Sequence, residues 1–178
     1  MALVLESVTV EPMRLTDVPV VSAIDRLCYP VPWDPHAYET ELGNRSACYL
    51  VARVDGEIVG YAGMWVVMDE AHVTTLAVAP EHRRKGIGER LLVALIEEAI
   101  WRGAIRASLE VREHNHVAQT LYRKHGFRTA AVRKRYYSDN QENALVMWAD
   151  DLGTEECSRR LTDARERLAM SGNDRSGV

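Results

Sequence analysis

The sequence predicts one mixed α/β domain, and three observations predict it. Strand and helix patterns run in the order β-α-α-β-β-β-α-β-α-β-β. An Asp55-Gly56 pair joins two β-rich runs as a type I′ hairpin. A strand, a basic glycine loop and a long amphipathic helix follow one another from Leu76 to Trp101. With 178 residues, 47% of them apolar and 27% charged, the chain can bury an ordinary core.

Ser7 to Met13 alternates apolar with polar and reads as the first strand. Thr16-Asp17 caps a helix with Pro19 in its first turn and Val20, Ile24 and Leu27 as its apolar side. Pro30 and Pro32 end it, and Asp34-Pro35 starts a short helix through Tyr38 to Leu42. Cys48 to Val54 and Glu57 to Val67 form the hairpin, and His72 to Val78 is the next strand. The helix Gly86 to Trp101 buries Ile87, Leu91, Leu95 and Ala99. A strand from Ala107 to Val111 and a helix from Asn115 to Tyr122 come next. Strands Phe127 to Tyr137 and Asn143 to Ala149 then flank a Ser138-Asp139-Asn140 turn. Residues 1–152 make the domain; residues 153–178 are a polar tail with one helix around Cys157 to Met170 and a disordered end.

Composition excludes several classes. A net charge of -4 argues against a general nucleic-acid binder, which needs a concentrated basic surface. Cys28, Cys48 and Cys157 have no metal-ligand spacing and fit unpaired thiols of a reducing compartment. The start lacks the basic region of a signal peptide, and no apolar run reaches the ~20 residues a bilayer needs. A cytoplasmic, membrane-free protein that is a monomer or weak dimer, without metal, is expected.

Leu76-Ala77-Val78 leads through Pro80 into Arg83-Arg84-Lys85-Gly86-Ile87-Gly88 and then a helix. Glycines admit close backbone approach, and a helix start offers free N–H groups and positive potential to a phosphate. A solvated basic turn is the plainer alternative. The loop lacks the Gly-Lys-Ser/Thr of a P-loop and the GxGxxG of a dinucleotide fold.

Downstream, Glu110 lies between Leu109 and Val111 on a short strand, facing either solvent or a cleft. Tyr122 follows Leu121 on the next helix, where a core tyrosine is the ordinary expectation. Acyl transfer to an amine gives both groups a role. A carboxylate can take the proton of the attacking amine, and a phenol can protonate the departing thiolate.

The loop Arg83 to Gly88, with Glu89 after it, resembles the pyrophosphate-binding signature of the GNAT acetyltransferases. Leu109-Glu110-Val111-Arg112, Asn115, Ala118, Leu121-Tyr122 and Gly126-Phe127 resemble the RimI branch of that family. So do Arg133-Lys134-Arg135-Tyr136-Tyr137 and Glu142 to Met147. The resemblance covers roughly Val8 to Leu152. It implies a mixed, largely antiparallel sheet flanked by helices and an acetyl-CoA-dependent enzyme. Its expected substrate is a protein N-terminus, the N-terminal alanine of a small-subunit ribosomal protein. It further implies Glu110 as general base, Tyr122 as general acid and Asn115 as a cofactor contact. Leu76 to Val78 would meet the pantetheine arm through their backbone. Trp33, Asp69 and Glu70 would line the peptide groove.

Two departures stand out. Glu89 occupies a position where Arg is frequent, which would weaken phosphate contact slightly. Glu113-His114 replaces small polar residues and reads as exposed. An α-amine (pKa ~8) is far easier to deprotonate than a lysine (~10.4), so one carboxylate suffices for an N-terminus. Tyr136-Tyr137 either pack the hairpin or close over an extended peptide. Arg133, Lys134 and Arg135 are either a solvated face or an attraction for a ribosomal partner. A small-amine acetyltransferase and a silent acyl-CoA-binding module are the competing expectations.

Overall fold

The computed structural model describes residues 7–173. The expectations for the first six residues and for a disordered end beyond 173 lie outside the described residues. Seven strands form one sheet in the order β1-β2-β3-β4-β5-β7-β6. They are β1 (Val8–Pro12), β2 (Ala47–Val54), β3 (Glu57–Val67), β4 (Glu70–Val78), β5 (Arg106–Arg112), β6 (Arg128–Arg133) and β7 (Ala144–Ala149). The helices are α1 (Val18–Cys28), α2 (Pro35–Leu42), α3 (Ile87–Trp101), α4 (His116–Lys124) and α5 (Glu155–Asn173).

Alternation along the strands splits the core between the two faces of the sheet. In β2, Cys48, Leu50, Ala52 and Val54 join the core shared with α3, while Tyr49 and Val51 face the core shared with α1 and α2. Asp55 (φ 49°) and Gly56 (φ 89°) both take the left-handed conformation that a type I′ turn demands, so the β2–β3 hairpin forms as expected.

Every neighbouring pair is antiparallel except β4 with β5, which are parallel and pair only over Glu70↔Arg106, Ala71↔Ala107 and His72↔Ser108. Beyond His72 the two strands part. The register of β4 against β3 slips there, from Met64↔Val73 to Gly63↔Thr75. This bulge switches the side-chain faces: Ala71 and Val73 point to the α3 core, Ala77 to the α1 core. Gly63 is required beside it, because a Cβ there would run into the Tyr49 ring.

Four expectations change. The buried side of α1 is Val18, Val21, Ser22, Ile24 and Asp25, while Val20 and Leu27 are exposed. A polar pair, Ser22 and Asp25, sits on the inner face and disguises the apolar stripe. Strand β6 ends at Arg133 rather than Tyr137, since Arg135 (φ 54°) turns the chain out of extended geometry. The C-terminal helix reaches from Glu155 to Asn173. Its Cys157, Leu161, Ala164 and Leu168, at helical spacing, pack on the side that carries α3. Finally, Glu113 is half-buried and accepts a bond from Asn143 Nδ2 at 3.1 Å, whereas His114 is exposed as expected.

Candidate active site

The gap between β4 and β5 is where the chemistry-bearing residues meet. Leu109 and Val111 face the α3 core, so Glu110 and Ser108 project from the opposite face of β5. His72 projects beside them from β4. Its Nε2 lies 3.1 Å from Glu110 Oε2, and its Nδ1 lies 2.9 Å from Ser108 Oγ. Arg133 Nη2 stands 3.7 Å from the other Glu110 oxygen. The His72 hydrogen bond, together with the His72 and Arg133 charges, outweighs partial burial and holds the Glu110 carboxyl below the usual carboxylate range. Glu110 is therefore ionised at neutral pH.

Tyr122 is buried in α4 with its ring 5.9 Å from that of Phe127. Burial raises the pKa of its hydroxyl, and the phenols of Tyr29 and Tyr137 add to the effect, so the group is protonated at rest. Tyr137 in turn is pushed up to about 12, chiefly by burial, with the Glu110 charge among the smaller causes. Electrostatic influence thus runs from Tyr29 and Tyr137 to Tyr122, and from Glu110 to Tyr137. Tyr137 belongs to the segment between β6 and β7. The Arg112 guanidinium lies 3.9 Å from the centre of the Tyr137 ring, and Tyr136 meets that ring edge-on at 5.1 Å. Arg112 also binds Asp139 (2.9 Å) and Glu142 (3.2 Å), so the segment is tied to the end of β5. Tyr136 and Tyr137 lie in this segment and not on a strand.

At the other end of the gap, α3 begins. Gly86 (φ 75°) takes the left-handed N-cap conformation and Arg84 (φ 61°) precedes it. Arg90 N is the first amide to bond within the turn, to Gly86 O at 3.0 Å. The N–H groups of Ile87, Gly88 and Glu89 are those a helix start leaves for an anion. A Cβ at Gly88 would meet only Leu76, Val78 and Leu121 at ordinary contact distances, so packing does not require glycine there. Arg83 and Arg84 are exposed and Lys85 is half-buried.

Ala79 N bonds β3 through Val59 O at 2.8 Å, so Leu76 and Val78, at alternate positions, direct their backbone groups to the open side and Ala77 to β3. Tyr29 Oη donates to Leu76 O at 2.9 Å, and Arg83 Nε donates to Val78 O at 3.0 Å. Cys28 Sγ lies 3.5 Å from the same Val78 oxygen. Tyr29, Cys28 and His72 escape a sequence reading, because their partners lie 36 to 50 residues away.

The remaining expected residues fall in different places. Asn115 commits its side chain to capping α4, accepting from Ala118 N at 3.1 Å. Glu89, itself buried, pairs with Lys124, His125 and Arg167. Trp33 follows Tyr29 in the α1–α2 connection. Its backbone N–H donates to the buried Asp25 at 2.7 Å, its ring packs 5.3 Å from that of Tyr38, and Tyr61 Oη binds the same Asp25. Asp69 and Glu70 are not brought to Glu110. Glu70 pairs with Arg106, four residues or ~13 Å back along β5. The turn that carries them is at the paired end of β4 and β5.

A sheet parted after one parallel pair, a glycine-led helix at the gap, and a carboxylate facing it define an acyltransferase site. Residues 18–127 match the Acetyltransferase (GNAT) family, and the chain belongs to it; enzymes of this family draw their acetyl group from acetyl-CoA. The chain is similar, at 44% identity over 137 residues, to a Bacillus subtilis (strain 168) protein provisionally named [ribosomal protein bS18]-alanine N-acetyltransferase, covering 76% of this chain and 91% of that one. To the [ribosomal protein bS18]-alanine N-acetyltransferase of Escherichia coli (strain K12) it is 33% identical over 141 residues, covering 78% of this chain and 95% of the relative. The crystal structure of the ribosomal-protein-S18-alanine N-acetyltransferase from Escherichia coli superposes with a TM-score of 0.76 at 30% identity, over 84% of this chain and 97% of that one. Among the described residues, no helix is long and apolar enough to cross a membrane, and no cluster of metal-ligating side chains is found.

Proposed function

We propose that the chain is a cytoplasmic enzyme that transfers the acetyl group of acetyl-CoA to the N-terminal alanine of a bS18-type ribosomal protein. The likeness to two relatives so named supports the substrate. One observation carries the chemistry: Glu110 is held ionised by His72 at the mouth of the β4–β5 gap; Tyr122, protonated at rest, is the acid in this proposal.

Both substrates bind before chemistry. The N-terminal ammonium gives a proton to Glu110, directly or through water. The free amine attacks the thioester carbon, a C–N bond forms, and the C–S bond breaks. The CoA sulfur leaves as thiolate and takes its proton from the Tyr122 hydroxyl, and the second proton of the attacking nitrogen, released through water as the amide forms, restores the phenol. His72 positions the Glu110 carboxylate, and the outward-facing backbone N–H groups of Leu76 and Val78 align the pantetheine arm. Tyr136 and Tyr137, braced by Arg112, supply a wall against which an extended peptide can lie.

A panel of Ala-, Ser- and Met-starting peptides set against small amines tests this. The alanine peptide carrying the bS18 N-terminal sequence should give the highest kcat/KM by at least about tenfold, roughly 1.4 kcal/mol of transition-state discrimination. Small amines acetylated as fast as that peptide would overturn the substrate assignment.

A further inference from the structure

Glu89 is the third residue of α3, where a carboxylate next to bound phosphates would repel them. In this fold it does not stand alone. Arg167 of α5 donates to both its oxygens, at 2.8 and 3.0 Å, Lys124 Nζ lies 3.0 Å away, and His125 Nε2 lies 2.9 Å away. The Glu89 side chain is only 9% exposed. Counting one negative and two positive side chains, the cluster carries a net charge of about +1 without His125. Helix α5 also touches the loop itself. Arg90 Nη2 bonds Leu168 O at 2.5 Å, and a Cβ on Gly86 would approach Leu168 Cδ2 to 2.8 Å. Helix α5 lies outside the Val8 to Leu152 stretch that carries the family resemblance.

We infer that α5 is part of the cofactor site at one remove: Arg167 is a positioning residue that neutralises Glu89 and so sets the affinity of the α3 start for the phosphates of CoA. The inference rests on the loop Arg83 to Gly88 being the phosphate cradle, and on nothing about the acetyl acceptor. Its logic is electrostatic. With Arg167 removed, the cluster falls from about +1 to about zero, and a carboxylate held only by Lys124 and His125 remains in the first turn, where the helix field acts on an anion. With Glu89 removed as well, there is no negative charge left to balance.

Calorimetric titration of the full chain with CoA, without any peptide, reads this directly. Arg167→Gln should weaken CoA binding about tenfold, Arg167→Lys should stay within about threefold of the parent, and the double variant Arg167→Gln/Glu89→Gln should recover most of the loss. Thermal unfolding of each variant reports the packing contribution separately. Unchanged affinity in Arg167→Gln would overturn the inference. A loss that the double variant does not repair would do the same, since α5 would then act through packing alone. If the parent chain bound no CoA, the reading of the glycine loop would fall before this one was reached.

Discussion

His72 Nε2 and Glu110 Oε2 lie 3.1 Å apart, at the last rung where β4 and β5 still pair. The contact fixes the carboxylate where the sheet opens, and Ser108 fixes the imidazole from behind at 2.9 Å. Replacing Glu110 with Gln keeps the shape and removes the proposed proton acceptor. Its kcat should fall by about 10²–10⁴, with CoA affinity unchanged. His72→Ala leaves the acceptor but frees its rotamers, so a smaller loss, about tenfold in kcat, is expected. Steady-state kinetics beside CoA titrations check both. Equal losses in the two variants would make His72 a direct participant and not a positioning residue.

The direction of the Glu110 shift fixes the pH dependence. Its folded pKa is depressed, so the carboxylate is present through pH ~5 to ~9 and cannot supply a limb in that range. The titrating group is then the peptide amine. The kcat/KM profile should rise with a single slope and level off near pH ~8, the α-amino value. Peptides with a less basic N-terminus should shift the limb downward by the change in their own pKa. A limb that ignores the peptide's pKa would locate the critical proton on the enzyme.

Tyr122 tests the other half of the reaction. Its hydroxyl is kept protonated mainly by burial, while its ring packs on Phe127. Tyr122→Phe retains that packing. A drop in kcat of about 10²–10⁴ with a nearly unchanged melting temperature is expected. Thioester substrates with a better leaving group should recover part of the loss, because they need less protonation on departure. No recovery would argue that the phenol serves orientation.

Glu89 should leave a mark on acid stability. Burial opposes its ionisation, but hydrogen bonds from Arg167, His125 and Lys124 prevail and take its pKa to about 2. A depressed folded pKa stabilises the fold above the unfolded value of ~4.3, and that contribution fades as pH falls toward ~2. Roughly 3 kcal/mol is at stake, as an order of magnitude. Urea unfolding between pH ~5 and ~2.5 should show a shallower loss of stability in Glu89→Gln than in the parent chain.

The elements are legible wherever local chemistry decides them. Asp55-Gly56 can hardly be anything but a tight turn, and the Ile87, Leu91, Leu95, Ala99 stripe marks α3. The face of α1 misleads because Asp25 is buried for a reason found elsewhere in the chain, the hydroxyl of Tyr61 and the amide of Trp33. Strand β6 stops short of the alternating pattern. Alternation cannot register that Arg112, from β5, gathers Tyr137, Asp139 and Glu142 into a folded segment. In the site, Glu110, Tyr122 and the glycine loop are singled out by the family resemblance, since spacing alone leaves a solvent-facing carboxylate, a core phenol and a basic turn as alternatives. The bulge in β4, His72 and Tyr29 are not singled out, since each depends on a contact between strands or helices far apart in sequence. Helix α5 reads as a solvated tail because its exposed side outweighs the seam of Cys157, Leu161, Ala164 and Leu168.

Intact-mass analysis of purified bS18 incubated with the enzyme and acetyl-CoA, followed by sequencing of the modified peptide, tests the proposed reaction on its own substrate. A single acetyl group should appear on the α-amine of the N-terminal alanine, and be absent when Glu110→Gln replaces the parent enzyme. An unmodified N-terminus, or acetyl found on lysine side chains instead, would contradict the proposed reaction.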